Sequence, residues 1–405
     1  VSANSVRRTG PGGGSRPVLE VLGVALRLGL TSFGGPVAHL GYFRREYVTR
    51  RQWLDETAFA DLVALCQALP GPASSQLGFA IGTRRAGMLG GLAAWVGFTL
   101  PSAIALTTIG LLTASADLAD AGWVHGLKLA AVAVVAQAVW GMAGALTPDW
   151  PRRAVALAAA AVALAWTTPF SQVAIIAGGA VIGRLVLAPP PASALAPEPS
   201  PVSRRVGIFA LAAFAVLLLA LPLLRGPGGQ PVALFDGFYR AGALVFGGGH
   251  VVLPLLHTTV VDPGWVSDDR FLAGYGLAQA VPGPLFTFAA YLGSVSIPAP
   301  NGVPGATIAL VAIFLPGLLL VWAALPFWGS LRTSVGIRRA LTGTNAAVVG
   351  ILLAALYTPV WTSAITAPVD IVVAAGALAL LLTGRVPPIV VVGLCAVAGQ
   401  ALGSV

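Results

Sequence analysis

Charge is scarce in this sequence: 9% of its 405 residues are charged, against 57% hydrophobic, and mean hydropathy is +0.87. An ordinary soluble domain carries roughly a quarter charged residues, because each element needs a polar face. Fourteen acidic and 23 basic side chains cannot supply such faces over this length. Lipid must be the solvent for most of the surface, which excludes a water-soluble fold. Cysteine is nearly absent. Cys66 and Cys395 stand in separate apolar segments with no CxxC, so disulfide scaffolds, Fe–S clusters and cysteine–zinc sites lack a basis. The four histidines form no HExxH, and no GxxxxGK[ST] provides a P-loop for ATP. Lysine occurs once, as Lys128. The remaining basic residues are arginines, mostly in short loops between apolar runs, a pattern that orients a chain in a bilayer rather than binding nucleic acid. Nothing in the composition calls for a cofactor.

What the chain has is apolar length. Apolar segments fall near 18–43, 57–82, 88–113, 124–146, 152–167, 170–188, 206–224, 232–257, 269–297, 305–328, 340–358, 363–383 and 386–404. Most have the roughly 20 residues a helix needs to cross the hydrocarbon. The expected fold is an all-α polytopic membrane protein. Residues 1–17, polar and rich in Gly, Pro, Ser and Arg, read as a disordered cytoplasmic tail rather than a signal peptide. Residues 189–205, beginning PPPASALAPEPSPVS, read as a Pro-rich linker near the middle of the chain.

The two sides of that linker match. Arg27 stands six residues before Phe33-Gly34-Gly35, and Arg240 six before Phe246-Gly247-Gly248. Trp53 precedes Phe59 by six, as Trp265 precedes Phe271. Gln67-Ala68-Leu69-Pro70-Gly71-Pro72 is answered by Gln279-Ala280-Val281-Pro282-Gly283-Pro284. The offset is 213 at Phe246, 212 at Trp265, Phe271 and Pro282, and 215 between Pro101 and Pro316. This is a tandem duplication, with membrane repeats at 18–188 and 232–404. Segment 206–224 has no counterpart in the first copy. It adds one crossing, so the second copy enters the membrane upside down and the repeat is inverted.

Loop arginines bear on the topology. Setting aside Arg27, Lys128 and Arg240, which lie well within apolar segments, 20 basic residues stand in loops or near segment ends. If every segment spans and the N-terminus is cytoplasmic, 15 are inside and 5 outside, four of the latter being Arg44, Arg45, Arg50 and Arg51. If the FGG and PGP segments instead dip in and return as re-entrant hairpins, 18 lie inside and only Arg225 and Arg270 lie outside. The second arrangement obeys the positive-inside rule. Gly and Pro also break those segments near mid-length, as hairpins require. Either way the N-terminus is cytoplasmic and the C-terminus outside.

Arg27 and Arg240 lead the candidate substrate-binding residues. A charge in an apolar segment costs at least about 2.5–3.5 kcal/mol unless it has a partner or lines a watery cavity. Each could snorkel or pair with a carboxylate such as Glu20 or Asp236. Their duplication, which those acids do not share, points instead to two forked donors converging on a tetrahedral oxyanion. The glycine breaks at Phe33, Gly34, Gly35 and at Phe246, Gly247, Gly248 would add backbone N–H groups at half-helix starts. Close helix packing explains Gly-Gly equally simply. Gly71 and Gly283 sit in the PGP breaks, with Gln67 and Gln279 as neutral donors that either line a cavity or bridge helices. Asp61, Lys128 and Asp370 lack charged counterparts in the other copy. They are candidates for proton coupling, with structural ion pairing as the plainer reading. His39, His250 and His257 follow the FGG breaks, where a proton shuttle or a simple amphipathic role is open.

The duplicated FGG and PGP motifs, the length and the central linker resemble the chromate ion transporter family in its two-domain long form, over about residues 18–404. The resemblance implies a carrier without cofactor that exports chromate across the bacterial cytoplasmic membrane. It further implies drive from the proton gradient, chromate resistance, and sulfate as the competing tetrahedral analogue. The first copy reads FGGP where the second reads FGGGH, so the two tips need not contribute equally. Two rivals stand beside this reading: uptake of sulfate or a related oxyanion, and an intramembrane enzyme acting on a lipid phosphate. The enzyme would need a nucleophile or base beside the arginines, and no paired carboxylates provide one. Membrane lipid is the surrounding partner, nucleic acid is not one, and a homodimer is left open.

Overall fold

A computed structural model describes residues 15–33, 35–113, 122–166, 171–189, 200–246, 251–331 and 333–402. Gly34, Gly247, Gly248 and His250, most of the expected tail and the central part of the expected linker lie outside the described residues. The first half of the chain forms α1 (Ser15–Thr31), α2 (Gly35–Phe43), α3 (Glu56–Ala68), α4 (Ala73–Thr113), α5 (Gly122–Leu146), α6 (Trp150–Ala165) and α7 (Ser171–Val186). The second half forms α8 (Arg204–Leu244), α9 (Val252–Val260), α10 (Asp268–Ala280), α11 (Phe288–Val295), α12 (Gly302–Ala324), α13 (Trp328–Leu331), α14 (Val335–Ala355), α15 (Thr362–Ala364), α16 (Pro368–Leu382) and α17 (Pro388–Leu402). No strand occurs among the described residues. Five helical stretches are long and apolar enough to cross a membrane: α4, α5, α8, Gly302–Leu331 and Val335–Ala364. The protein is an all-α polytopic membrane protein.

Glycines divide the longest helices. Ala86 and Gly87 leave helical geometry, Gly87 with φ 68°, so α4 consists of two legs folded against each other. A Cβ on Gly82 would lie 2.4 Å from the Gly90 carbonyl oxygen, a closeness only glycine permits. Gly229, with φ 61°, likewise breaks α8. Its first leg holds the segment expected as the extra crossing, and its second leg carries Arg240.

Several helices fall short of a full crossing. The helices α6 and α7 have 16 residues each, and α16 and α17 have 15. At 1.5 Å per residue each covers at most about 24 Å, less than the hydrocarbon thickness. Their starts are set by local chemistry. Asp149 caps α6 by accepting from the Arg152 N–H, and Pro368 and Pro388 open α16 and α17. These short helices pack against the opposite half: α6 and α7 on α14, and α16 and α17 on α5. Small residues make the contacts possible. A Cβ on Gly126 would fall 2.0 Å from the Cys395 carbonyl oxygen, and one on Gly343 2.0 Å from that of Gly179.

Local features recur at the offset seen in the sequence. Asp55 caps α3 as Ser267 caps α10. The Trp53 N–H returns to the Tyr47 carbonyl as that of Trp265 returns to Val260. Gly71 and Gly283 have φ 122° and 107°, while Gly87 and Gly302 have 68° and 56°.

Candidate functional site

The broken segments of the two halves meet each other. The Gly71 N–H donates to the Val245 carbonyl at 2.7 Å, and the Gly283 N–H donates to the Ser32 carbonyl at 2.9 Å. Ser32 and Val245 are the residues that precede the two FGG motifs, so each PGP tip is bonded to the FGG break of the opposite half. The same exchange governs packing. A Cβ on Gly71 would lie 3.1 Å from Gly317 Cα, and one on Gly283 would lie 2.7 Å from Ser102 Oγ. Gly317 and Ser102 each follow an intrahelical proline, Pro316 in α12 and Pro101 in α4. Those prolines cannot donate to the carbonyl four residues back, so backbone acceptors are loosened beside the tips. Three helix interruptions from each half, the FGG break, the PGP tip and the intrahelical proline, thus meet at one junction.

The two arginines differ. Arg240 is engaged: its Nε bonds Asp236 Oδ1 at 2.8 Å and its Nη2 bonds the Leu218 carbonyl at 2.8 Å. Asp236 is fully buried and also receives Arg225. Leu218 and Arg225 belong to the first leg of α8, which folds back over the second. Tyr239 in turn donates to the Phe214 carbonyl at 3.1 Å. Pairing with Asp236, one of the alternatives read from the sequence, describes Arg240. Arg27 has no such cover. It is exposed on α1 between exposed Leu26 and Leu30, and Glu20 is taken by Arg51 and Arg85.

Phe33 and Phe246 are both half-buried beside their breaks, Gly35 opens α2 with φ 74°, and Gly71 is buried. Gln67 is exposed on α3, whereas Gln279 is half-buried and hydrogen-bonded to Tyr275. These glutamines are therefore not equivalent in their surroundings.

Polar residues absent from the duplicated motifs gather at the junction. Gln76, fully buried in the first turn of α4, donates to the carbonyls of Pro70 at 2.8 Å and Gly317 at 3.2 Å. His39 on α2 places Nε2 3.2 Å from the Ser32 carbonyl, and its ring meets Phe98 edge-on at 5.3 Å. Ser102 donates to the Thr99 carbonyl at 3.1 Å. The hydroxyls of Ser32, Ser75 and Thr99, the His39 Nδ1 and the Gln76 Oε1 are buried and lack hydrogen-bond partners among the described residues. Buried polar atoms in proteins are mostly paired; unpaired ones also occur elsewhere among the described residues, as at Gln172, Gln230 and Asn345, but here five gather at one junction. No motif flagged Ser32, Thr99 or Gln76, because none is repeated in the second half. Their signal was only polarity inside apolar runs.

The three asymmetric ionisable residues all bridge the halves. Asp61 Oδ1 accepts from Trp328 Nε1 at 3.1 Å. Lys128, buried on α5, pairs with Asp269 in the first turn of α10. Asp370, 2% exposed, accepts from His125 at 2.8 Å and from the N–H groups of Thr366 and Ala367. An open cleft lies elsewhere, near Leu111, Arg270, Ser294 and Asn301, where α11 ends and α12 begins. The junction itself is closed, with Ser32, Gln76 and Thr99 no more than 2% exposed.

A family model described as "Chromate transporter" matches residues 19–184 and again 232–400. Relatives of similar length carry related names. A "Chromate transport protein" of Pseudomonas aeruginosa is 30% identical over 81% of this chain and 77% of its own. A "Probable chromate transport protein" of Synechococcus elongatus is 29% identical over 82% and 81%. A "Chromate transport protein" of Cupriavidus metallidurans is 27% identical over 82% and 80%. No solved structure matches the chain significantly.

Proposed function

Because the chain belongs to the chromate transporter family, we propose that it exports chromate across the bacterial cytoplasmic membrane by alternating access. On this reading it is coupled to protons and confers chromate resistance. The observation that carries the proposal is the reciprocal pair of bonds, Gly71 N–H to Val245 and Gly283 N–H to Ser32. Two backbone links between broken helices make a hinge that either half can rock about without losing secondary structure. Broken helices of paired repeats are where carriers place their substrate, since unpaired backbone groups and half-helix ends face a common cavity there.

The proposed architecture is an inverted repeat at 18–188 and 232–404, with re-entrant FGG and PGP hairpins and the N-terminus inside. In it, Arg27 attracts the anion toward the junction, while Arg240 is held in reserve by Asp236. Asp61, Lys128 and Asp370 serve coupling, because each contact that bridges the halves is made or broken as they move. Proton transfer to any of these groups would then bias the equilibrium between the two orientations. Sulfate shares charge and shape with chromate and is the expected competitor.

The direct test is radiolabelled chromate flux in vesicles of defined orientation, with and without an imposed pH gradient. Accumulation in everted vesicles that responds to the gradient supports proton-coupled export. Flux in right-side-out vesicles alone supports oxyanion uptake, and no flux in either removes the carrier reading.

A further inference from the structure

At three positions the junction is polar on the first-half side only. Ser32 is 0% exposed, His39 1% and Thr99 2%, and each presents a polar atom without a partner among the described residues. They belong together. His39 Nε2 reaches the Ser32 carbonyl, the ring leans on Phe98 beside Thr99, and Ser102, which donates to the Thr99 carbonyl, packs closely on the Gly283 tip that bonds Ser32. By the sequence offset, their counterparts in the second half are Val245, Val252 and Phe314. All three are apolar and buried.

The hydroxyls are available by geometry rather than by chance. Thr83 and Thr113 on the same helix return their hydroxyls to the carbonyl four residues back, at 2.8 Å each. Thr99 does not, although that bond is the usual resting place of a helical threonine. The His39 ring is also constrained. A bond from Nε2 to a carbonyl requires the proton on Nε2, so Nδ1 carries a bare lone pair when the imidazole is neutral. The groups around that ring are the Ser32 carbonyl, Phe43 and Phe98, none of them charged. The nearest cation along α1 is Arg27, which is exposed.

We propose that Ser32, Thr99 and His39 form a one-sided site that holds a tetrahedral oxyanion together with one proton. The two hydroxyls donate to anion oxygens, and the proton lies between His39 Nδ1 and a third oxygen. Whether it is formally drawn on the imidazole or on the anion, the bound state is the same. A dianion carried with one proton moves one net negative charge, so the inside-negative membrane potential drives its outward passage, while an acid-outside pH gradient opposes the proton that leaves with it. The site explains how a closed junction without a guanidinium in contact can accept an anion: neutral donors in a dry interior hold charge strongly.

This inference rests on the carrier reading, and the experiment separates the two. Chromate binding is measured by calorimetry on the purified full chain in lipid nanodiscs at about pH 8, above the ordinary imidazole value, in two buffers of different ionisation enthalpy. Wild type is expected to take up one proton per chromate bound. Ser32→Ala and Thr99→Val should each weaken binding about tenfold to a hundredfold, as loss of a hydrogen bond to a charged group does. Thr99→Ser, which keeps the hydroxyl, should bind nearly as wild type. His39→Gln retains an N–H for the Ser32 carbonyl but has nothing to titrate, so it should bind more weakly and without proton uptake. Thermal unfolding without chromate should be alike in all four variants. Wild-type affinity in both Ser32→Ala and Thr99→Val overturns the site while leaving the carrier intact, as does a Thr99→Ser protein as weak as Thr99→Val. Chromate binding by wild type without proton uptake overturns the proton. Failure of wild type to bind or move chromate at all overturns the carrier reading itself.

Discussion

Asp236 is fully buried one turn before Arg240 and accepts its Nε at 2.8 Å. That pairing makes the two duplicated arginines unequal tests of function. Arg240→Gln leaves Asp236 with Arg225 alone, and an under-paired buried carboxylate is expensive. Arg240 is about a third exposed, which moderates the loss. We expect about 1–3 kcal/mol of destabilisation, read as reduced protein abundance in the membrane. Arg27 has no side-chain partner among the described residues to abandon, so Arg27→Gln should keep normal abundance while chromate resistance falls. Lysine at position 27 should rescue poorly, having charge but no planar fork. Normal resistance in Arg27→Gln would show that this arginine plays no part in transport.

The PGP tips can be tested by adding single methyl groups. Gly71 and Gly283 have φ 122° and 107°, which side chains rarely tolerate. A Cβ on Gly283 would also meet Ser102 Oγ at 2.7 Å. Gly283→Ala should therefore cost about 1–3 kcal/mol and slow chromate flux. Adding Ser102→Gly copies the arrangement opposite Gly71, where Gly317 stands. The double variant should recover part of the flux but retain the backbone strain. An additive double mutant, measured by flux and thermal unfolding, would deny the contact between the halves.

Much of the fold was legible in the sequence, for definite reasons. Low charge and apolar length dictate membrane helices, and the polar gaps after residues 82 and 224 and the PGP motifs mark where they break, although no motif singles out Gly87 and Gly229, the glycines that make two of those breaks. The offset between Gln67 and Gln279 anticipated which local turns would recur. The partner of Arg240 was legible only as an alternative. Its selection depends on the first leg of α8 folding back over the second, which apolar periodicity does not encode. The grouping of Ser32, His39 and Thr99 was not legible at all. They lie up to 67 residues apart, share no motif, and converge only because α1, α2 and α4 pack together.

Topology gives a prediction on the arginine loop. Trp328 donates to Asp61, which places the segment around Ser330 near α3 and close to the end that carries residues 44–55. Single cysteines at Thr49 and Ser330, in a background without Cys66 and Cys395, should both resist an impermeant thiol reagent applied to intact cells. Labelling at position 49 alone would return that loop to the outside and restore continuous spans.

The same loop should respond to acid. Burial alone would push the Glu46 carboxyl up, but hydrogen bonds and charge from Arg51 and Arg50 hold it below the usual carboxylate range. A carboxyl depressed in the folded state contributes stability above its unfolded value, near about 4.3, and loses it as pH falls through the depressed value. Stability of the loop should thus be constant at neutral pH and decline only in strong acid. Glu46→Gln should reproduce the loss at neutral pH, by about 1–2 kcal/mol. Hydrogen exchange over residues 44–54, corrected for intrinsic rates, measures both effects. Equal protection in wild type and variant would mean that the arginines do not depend on Glu46.

Substrate choice follows from what the junction can sense. The proposed site, two hydroxyl donors and a proton shared with His39, would recognise charge and the placement of oxygens, with little means of detecting the central atom. Chromate and sulfate differ modestly in size, so a pocket of donors should separate them by about 1–3 kcal/mol, roughly 10–200-fold. Sulfate in excess should therefore inhibit chromate flux competitively, raising the apparent KM without lowering the maximal rate. Nitrate is planar and singly charged, and it lacks a fourth oxygen for donors arranged around a tetrahedron. It should hardly compete at equal concentration. Vesicle flux at a series of sulfate and nitrate concentrations decides the matter. Strong inhibition by nitrate with none by sulfate would mean that the junction does not frame a tetrahedral dianion, and the anion would have to be sought elsewhere in the protein.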